Sequence, residues 1–191
     1  MPAPQPRWGW HQLSKQRAQR LVDEAGIRRG DLVLDIGAGT GAITAPLVQR
    51  GAKVIAFELH PQRAEALRQR FARDRVTVVQ ADAADLRLPT RPFHVVANPP
   101  FGVSVAILRR LTSPHSRLVR ADIIVPRHTA ERWVYGNPPG AQRWRKEFSC
   151  SIGPVLSRSS FNPPPPNDVA ILIIRKIGPH PHRQYPFPEG R

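Results

Sequence analysis

The stretch that decides the fold is LVLDIGAGTG, residues 32–41. It joins a short aliphatic run to a glycine-rich turn, and a helix-like segment follows. Gly37, Gly39 and Gly41 allow the chain to turn tightly and let a ligand lie against the backbone and the N-terminus of that helix. The spacing G-x-G-x-G, with Asp35 two residues before it, differs from the G-x-G-x-x-G of dinucleotide-binding folds. The stretch therefore predicts a strand, a ligand-binding turn and a helix.

Beyond this turn, short apolar runs alternate with helix-like segments, which is typical of a parallel sheet covered by crossover helices. The last two apolar runs are separated by a Ser- and Pro-rich turn and are predicted to pair as an antiparallel hairpin. We therefore expect an α/β, Rossmann-like fold of about seven strands. The predicted strands are 32–36, 53–57, 76–80, 93–97, 118–125, 147–156 and 169–176, and the predicted helices are 42–49, 62–73, 103–111 and 129–135.

The length of 191 residues suits one core with short tails. We expect an N-terminal helical segment over 1–30, the main domain over 31–176 and a Pro-rich tail over 177–191. No apolar run approaches the roughly 20 residues that a bilayer span needs, and the N-terminus has no signal-like apolar stretch, so we expect a cytoplasmic protein that does not enter a membrane. The lone Cys150 and the scattered histidines suggest neither an intrachain disulfide nor a metal site.

The charge is unevenly distributed along the chain. The net charge is +15; residues 31–98 carry nine basic and seven acidic side chains, whereas residues 99–191 carry fourteen and five. A basic patch favours a polyanionic partner, because each Lys or Arg placed against a phosphate releases counterions. The second half of the chain is therefore the predicted side of nucleic-acid binding.

Two further carboxylates follow the next predicted strands. Glu58 lies about 20 residues past the glycine turn, where a carboxylate can accept hydrogen bonds from both ribose hydroxyls of a nucleoside. Asp82 follows the third strand, where it can hold the exocyclic amine of an adenine ring. Each acid alone has an alternative interpretation as a solvated strand-end carboxylate. Together with Asp35 and the turn, they describe a pocket for S-adenosylmethionine.

A candidate catalytic tetrad, Asn98-Pro99-Pro100-Phe101, follows the fourth predicted strand. An exocyclic amine on an aromatic ring is a poor nucleophile because its lone pair is delocalised. The Asn98 side-chain oxygen and the Pro99 carbonyl can accept its two protons and direct the lone pair toward a methyl group. Phe101 can stack on the base and favour the positive charge that develops on nitrogen.

The tripeptide Asn-Pro-Pro occurs three times and is a poor marker by itself. The copies at Asn137 and Asn162 lack an aromatic fourth residue and a preceding buried strand. Only the copy at Asn98 has the context that the chemistry requires. Phe161, just before the third copy, is a candidate to stack on the opposite face of a flipped base, and a core residue is the equally weighted alternative.

These residues make the chain resemble the rRNA adenine N6-methyltransferases, above all the Erm-type enzymes that modify 23S rRNA and confer macrolide, lincosamide and streptogramin B resistance. The dimethyladenosine transferases of 16S rRNA are relatives. The resemblance covers residues 10–176 and includes FNPPP at 161–165, which is similar to the family's Phe-x-Pro-x-Pro segment. It implies a class I methyltransferase in which the glycine turn and Glu58 hold S-adenosylmethionine, Asp82 and Ala83 meet its adenine, and the tetrad presents the target N6.

Two departures from the family pattern accompany this resemblance. The family's N-terminal Gln-Asn-Phe-Leu corresponds to WHQL at 10–13, so His11 and Leu13 are the implied cofactor contacts. After Lys176 only 15 residues follow, where the family has a helical C-terminal domain that helps to grip RNA, and we expect this domain to be absent. We therefore expect RNA binding to rely on arginines of the basic half, for which the candidates are Arg109, Arg110, Arg143 and Arg145.

The sequence thus predicts a monomeric enzyme that methylates N6 of an adenine in 23S rRNA, mono- or dimethylating it, with S-adenosylmethionine as cofactor. The expected partner is 23S rRNA or a 50S assembly intermediate, and the expected consequence is drug resistance. Two alternatives remain: the same chemistry on 16S rRNA, DNA or protein, or a catalytically silent RNA-binding assembly factor.

Overall fold

The structure, a computed structural model, describes residues 11–178. The predicted N-terminal segment and Pro-rich tail extend beyond these residues on either side. The strands are β1 (Gln12–Leu13), β2 (Leu32–Ile36), β3 (Lys53–Glu58), β4 (Val76–Gln80), β5 (Phe93–Ala97), β6 (Leu118–Pro126), β7 (Phe148–Leu156), β8 (Phe161–Asn162) and β9 (Val169–Lys176). The helices are α1 (Lys15–Ala25), α2 (Thr44–Gln49), α3 (Pro61–Arg70), α4 (Ser104–Leu111), α5 (Arg127–Val134) and α6 (Ala141–Trp144).

Seven strands form one sheet in the order β4-β3-β2-β5-β6-β9-β7. Strands β2 to β6 are parallel, and β9 lies antiparallel between β6 and β7. The predicted Rossmann-like α/β fold and its final antiparallel pair are therefore confirmed. The predicted strands agree with the observed ones to within a residue at each end, because buried strands are continuous aliphatic runs bounded by Gly, Asp or Pro.

The core divides into two layers because side chains alternate across the sheet. In β2, Leu32, Leu34 and Ile36 pack on the face covered by α4 and α5, whereas Val33 packs on the face covered by α1, α2 and α3. All five residues of β2 are buried, as expected for a central strand with helices on both faces. In the described part of the chain, no helix is long and apolar enough to cross a bilayer.

A separate antiparallel pair joins the two ends of the described chain. Gln12 and Leu13 in β1 pair with Asn162 and Phe161 in β8, across about 150 positions of sequence. The sequence did not predict this pair, since two-residue strands give no periodic signal. The pair is followed directly by α1, whose N-cap Ser14 accepts a hydrogen bond from the backbone N–H of Arg17.

The strand order reverses between β2 and β5. The chain leaves β2 toward β3 on one side, whereas β5 lies on the other side and continues toward β6. In open α/β sheets, ligands bind beyond the carboxyl ends of the strands at such a reversal. Gly37, directly after β2, and Asn98, directly after β5, are therefore neighbours at the expected site.

Candidate active site

A cleft of about 780 Å³ lies at this point of reversal. It is lined by Gly37 of the glycine turn, by Glu58 at the end of β3, and by Asp82 and Ala83 after β4. The tetrad at 98–101 forms its opposite wall. The structure therefore brings together at one sheet edge the three groups of residues that the sequence singled out.

The glycine turn approaches the tetrad closely. Gly37 has φ +78°, and a Cβ at this position would lie 3.1 Å from Cδ of Pro100 and 3.2 Å from Cα of Pro99. The backbone N–H groups of Gly37 and Ala38 both donate to the Phe57 carbonyl at 2.9 Å, which fixes the turn to β3. Only glycine meets both the positive φ and the close contact.

Gly41 ends the glycine turn and packs against α3. Its added Cβ would lie 2.8 Å from the ring of Phe71 and 3.0 Å from Leu67, so glycine allows α3 to pack against the turn. The residue is not among those that line the cleft. Its place in cofactor binding stays a prediction.

Glu58 is held in place by backbone donors. Its Oε2 accepts the N–H of Gly39 at 2.8 Å, and its Oε1 accepts the N–H of His60 at 2.8 Å. The side chain is only 5% exposed, and Arg63 Nε lies 3.7 Å from Oε1. Because each carboxylate oxygen can accept more than one hydrogen bond, this fixed group retains acceptor capacity toward the cleft.

Asp82 caps a short turn at the end of β4. Its Oδ1 accepts the N–H of Ala84 at 2.9 Å, and this orients the carboxylate at the cleft wall. Ala83 is buried beside it. The two residues lie on the opposite side of the cleft from Pro99 and Pro100, as expected for strands at different positions in the sheet.

Asp35 is completely buried beneath the glycine turn. Its Oδ2 accepts the Thr44 hydroxyl at 2.7 Å, while Oδ1 has no partner among the described residues. Burial raises the pKa of Asp35 to about 7, although the hydrogen bonds from Thr44 oppose this shift. A smaller cavity beside it is lined by Asp35 and Leu13, and it shares Gly37 and Asn98 with the main cleft.

The Asn98 side chain has one oriented end and one free end. Its Nδ2 donates to the His11 carbonyl at 2.7 Å. Its Oδ1 is buried and has no hydrogen-bond partner among the described residues. A buried unpaired acceptor costs free energy, so it points to a donor that arrives with a ligand. The main-chain carbonyl of His11 thus determines that the oxygen, and not the amino group, is left to accept.

The His11 ring supports Phe101 of the tetrad. The two rings are stacked with centroids 5.6 Å apart and an interplanar angle of 23°. The Nδ1 atom of His11 lies 2.9 Å from the Pro163 carbonyl. His11 lines the cleft as predicted, but the contacts it makes here are to Asn98, Phe101 and the segment after β8. The β1–β8 pair, which the sequence did not predict, creates these contacts.

Phe161 lies in the core. Its side chain is 4% exposed and packs in the layer that contains α1, α2 and α3. It is paired with Leu13 in the two-stranded sheet and does not line the cleft. The expectation that it stacks on a flipped base is corrected to the alternative weighed with it, a core residue, because strand pairing turns the ring inward.

Two of the four predicted RNA-binding arginines are engaged in the fold. Arg110 Nε donates to the Leu86 carbonyl at 2.9 Å. Arg145 donates to the carbonyls of Gly136 at 2.6 Å and Trp133 at 3.3 Å. These guanidinium groups hold the loop backbone in place. A structural role therefore accounts for both arginines without RNA binding.

The other two, Arg109 and Arg143, are exposed. Neither has a carboxylate within 4.0 Å among residues 11–178. They line a concavity at the opposite edge of the sheet from the tetrad. The sequence thus identified two unpaired cations but did not predict on which side of the molecule they lie.

Sequence reasoning missed several residues of the site, including Phe57, Leu59 and Ala81 in the lining of the cleft. Arg63 and Val103 line the cleft, and Thr44 is the hydrogen-bond partner of Asp35. Arg63 follows Glu58 by five residues on the first turn of α3, and proximity to a strand end is the signal that could have identified it. The side chain of Val103 gave no such signal, because an apolar residue at a helix start is equally expected in the core.

The residues present fit S-adenosylmethionine. The cleft is bordered by apolar side chains together with a few polar groups, which is typical of a small-molecule site. A glycine backbone bounds it on one side, and the fixed Glu58 carboxylate and Asp82 offer acceptors for ribose hydroxyls and an adenine amine. The described residues contain no group of three or more His, Cys, Asp or Glu side chains arranged to hold a metal ion.

Comparison with known families agrees with this geometry. The sequence matches the family Ribosomal RNA adenine dimethylase over residues 10–187. The chain belongs to this family. Its members are S-adenosylmethionine-dependent methyltransferases, so the family assignment and the cofactor predicted from the sequence are both confirmed.

Individual relatives divide between two ribosomal substrates. The chain is 30% identical over 178 residues to an rRNA adenine N-6-methyltransferase of Bacillus licheniformis, covering 90% of this chain and 62% of the relative. It is 32% identical to the Ribosomal RNA small subunit methyltransferase A of Leifsonia xyli subsp. xyli, covering 84% of this chain and 61% of the relative. The crystal structure of the 23S rRNA methyltransferase ErmE superposes with a TM-score of 0.75 at 26% identity, covering 92% of this chain and 70% of that one. The chain thus spans about three fifths of the length of these curated relatives.

Proposed function

We propose that this protein transfers a methyl group from S-adenosylmethionine to N6 of an adenine in 23S rRNA. The observation that carries the proposal is the buried Oδ1 of Asn98 at the cleft wall, which has no hydrogen-bond partner among residues 11–178. A carbonyl oxygen in this position can accept a hydrogen bond from an N–H group of a ligand. The exocyclic amine of adenine is such a donor. A protein that only bound RNA would have no use for it.

The tetrad residues act on the target amine. S-adenosylmethionine, when bound, supplies a methyl group with a sulfonium leaving group. Asn98 Oδ1 and the Pro99 carbonyl accept hydrogen bonds from the two N6–H groups and localise the nitrogen lone pair for attack on the methyl carbon. The N–C bond forms as the C–S bond breaks, and the sulfur keeps the bonding electron pair. The methylated nitrogen then loses one proton to water, so no general base is required.

Two further features of the chain serve the same step. The His11 carbonyl prevents the Asn98 amide from rotating, so that the acceptor is oriented before the substrate arrives. Phe101, supported by the His11 ring, offers an aromatic face on which the base can stack. Together these contacts place the amine without the cost of reorganising the site during the reaction.

Similarity to ErmE supports 23S rRNA as the substrate, and the basic second half of the chain supports a nucleic acid in general. Methylation there would reduce the binding of macrolide, lincosamide and streptogramin B drugs and confer resistance. The second candidate is 16S rRNA, favoured by the small subunit methyltransferase A of Leifsonia, whose identity to this chain, 32%, is higher than the 26% of ErmE.

The test is transfer of labelled methyl from S-adenosylmethionine to purified 23S rRNA, with 16S rRNA, DNA and bulk protein as parallel acceptors. Nucleoside analysis should find N6-methyladenine or N6,N6-dimethyladenine in 23S rRNA alone, and expression in a susceptible host should raise the inhibitory concentration of a macrolide. Label confined to 16S rRNA would show that the substrate is the second candidate, 16S rRNA. Label in DNA or protein, or in no acceptor, would refute both.

A further inference from the structure

We propose that the edge of the sheet opposite the cleft is a second contact surface for the RNA phosphate backbone. We call this the rear surface and define it by six exposed cations: Lys53, Arg75, Arg91, Arg109, Arg117 and Arg143. The proposal rests on the proposed function, since it assumes that the partner at the cleft is RNA. It adds a second place on the protein at which that RNA is held.

The topology places these residues at one edge. Lys53 begins β3, Arg75 directly precedes β4, and Arg117 directly precedes β6. Because β3, β4, β5 and β6 are parallel, their amino ends meet at the edge away from the tetrad. Arg109 lies in the last turn of α4, which returns from the tetrad to this edge, and Arg143 lies in α6 just before β7.

The rear surface contains two concavities, which are lined by five of these cations. One, of about 620 Å³, is lined by Arg109 and Arg143 together with Ser113 and Glu147. The other, of about 680 Å³, is lined by Lys53, Arg75 and Arg91 together with Asp74. Both are shallow and open, which suits a phosphate backbone that passes over the surface.

The cations of the rear surface are unpaired. Within residues 11–178, none of the six has a carboxylate within 4.0 Å or a side-chain hydrogen bond. The acid in one of the two concavities is partly neutralised, because Glu147 Oε2 lies 3.7 Å from Lys176 Nζ. Positive charge therefore dominates this edge.

Three cations near the cleft edge are, by contrast, paired or hydrogen-bonded. Arg127 forms an ion pair with Glu131 at 2.8 Å, and Arg158 donates to the Pro165 carbonyl at 2.8 Å. Arg63 lies beside Glu58 in the cleft wall. The six cations of the rear surface have no such contacts among residues 11–178.

RNA is the partner that best fits this separation. The guanidinium group matches phosphate geometry with two parallel hydrogen bonds, and arginines form five of the six rear cations. The five residues of β5 separate the two edges by about 17 Å at 3.3 Å per residue. A folded RNA carries phosphates at regular intervals over such a distance, so one molecule can occupy the cleft and also reach the rear surface.

The test compares two double variants with the same net charge. Arg109→Gln with Arg143→Gln removes the cations of one rear concavity. Arg20→Gln with Arg68→Gln removes two exposed cations from α1 and α3 and serves as the control. For each protein, Kd and kcat are measured on a long fragment of 23S rRNA and on a short hairpin. The hairpin carries only the target adenine, in unmethylated form, and its stem.

We expect the rear variant to weaken Kd for the long fragment about tenfold and to reduce the slope of log Kd against log salt by about 1.5, because two phosphate contacts are lost. Its kcat, and its Kd for the hairpin, should match those of the control variant. Equal behaviour of the two variants on the long fragment would overturn the proposal. So would an equal loss on the hairpin, because the arginines would then act at the cleft.

Two outcomes separate this proposal from the proposed function. If the wild-type protein methylates no RNA but binds the long fragment in a rear-dependent way, the proposed function fails and the rear surface stands. If the rear variant keeps its RNA affinity but no longer binds vesicles containing phosphatidylserine, the surface serves a membrane and the proposal fails.

Discussion

The two edges of the sheet carry polar groups of opposite kinds. At the carboxyl edge, Glu58 and Asn98 are each fixed by backbone partners and are largely buried. At the amino edge, Arg109 and Arg143 are exposed and have no carboxylate partner among residues 11–178. Parallel strands create this difference, because every strand enters the sheet at one edge and leaves it at the other.

The difference reflects what each edge has to do. Transfer of a methyl group needs acceptors held within a fraction of an ångström, and backbone hydrogen bonds supply that rigidity. Binding of a polyanion needs mobile cations that adapt to many phosphate positions. Rigid groups at one edge and free cations at the other allow both demands to be met by one small sheet.

The largest expected effect is at Asn98. Asn98→Ala removes the free acceptor from the carboxyl edge and should lower kcat by about 100- to 1,000-fold, the usual loss when one aligned polar partner of a reacting group is deleted. Affinity for RNA should change little, because the rear surface is intact. Single-turnover methyl transfer and filter binding measure the two quantities.

The chain contains its own control for this variant. Asn137→Ala alters another Asn-Pro-Pro copy, which is exposed and does not line the cleft. It should leave kcat unchanged. If Asn98→Ala retained near-normal kcat, the tetrad would not be the reacting site.

The second effect concerns pH, through the buried carboxyl beneath the glycine turn. Because burial raises the pKa of Asp35 to about 7, the folded protein keeps this proton between pH 5 and pH 7, whereas the unfolded chain has lost it. The stability contributed by the protonated group is present at low pH and is lost as pH rises through 7. For the protein without cofactor, this group should lower the free energy of unfolding by about 1.4 kcal/mol per pH unit in that interval.

Urea unfolding at pH 5, 6 and 7 measures this slope. Asp35→Asn should flatten it, since the amide does not titrate and its oxygen can still accept from Thr44. Asp74→Asn changes an exposed carboxylate on the rear surface and should leave the slope unchanged. A slope that survives Asp35→Asn would mean that another group titrates.

The third effect tests the close approach of the glycine turn to the tetrad. Gly37→Ala places a methyl group 3.1 Å from Pro100 and should weaken binding of S-adenosylmethionine about tenfold or more, since the cleft wall must shift. Gly30→Ala is the matched control, because Gly30 also has a positive φ, +88°, but nothing lies within 4 Å of its added Cβ.

Calorimetric titration with S-adenosylmethionine separates the two variants. Both carry the cost of a left-handed alanine, about 1 to 2 kcal/mol of stability. Only Gly37→Ala should lose affinity. If both variants lost the same affinity for S-adenosylmethionine, the cause would be backbone strain rather than contact with Pro99 and Pro100.

The smallest effect distinguishes two neighbouring arginines. Arg145→Gln removes hydrogen bonds to Gly136 and Trp133 and a guanidinium 5.4 Å from the ring of Trp144, so Tm should fall by a few degrees, about 1 kcal/mol. Arg143→Gln should leave Tm unchanged, because its side chain makes no such bond among the described residues. A thermal melt checks both, and equal melting temperatures would contradict the division into structural and free cations.

The sequence predicted the bounds of the strands well, but it did not predict the order of all strands in the sheet. The bounds of β2, β5 and β9 follow from mainly aliphatic runs, because a strand buried on both faces needs a mainly apolar segment. The position of β9 between β6 and β7 does not follow from any such run. Strand order depends on contacts between distant segments, which periodicity does not record.

The site shows the same division. Glu58, Asp82 and Asn98 could be placed in advance because carboxyl ends of parallel strands share one edge. The orientation of Asn98 could not, since it depends on the carbonyl of His11, 87 residues away in sequence. Phe161 was given two interpretations, and pairing with Leu13 decided for the core.

By itself, the sequence determined the fold class, the family and the set of residues at the carboxyl edge, because short-range patterns of apolar, glycine and acidic residues encode strands and the turns that end them. Only the tertiary structure decided which end of the Asn98 amide is free, that Phe161 lies in the core, and that arginines without a carboxylate partner among residues 11–178 lie at the amino edge of the sheet. These properties arise from contacts between segments far apart in the chain, and their geometry exists only once the sheet has formed.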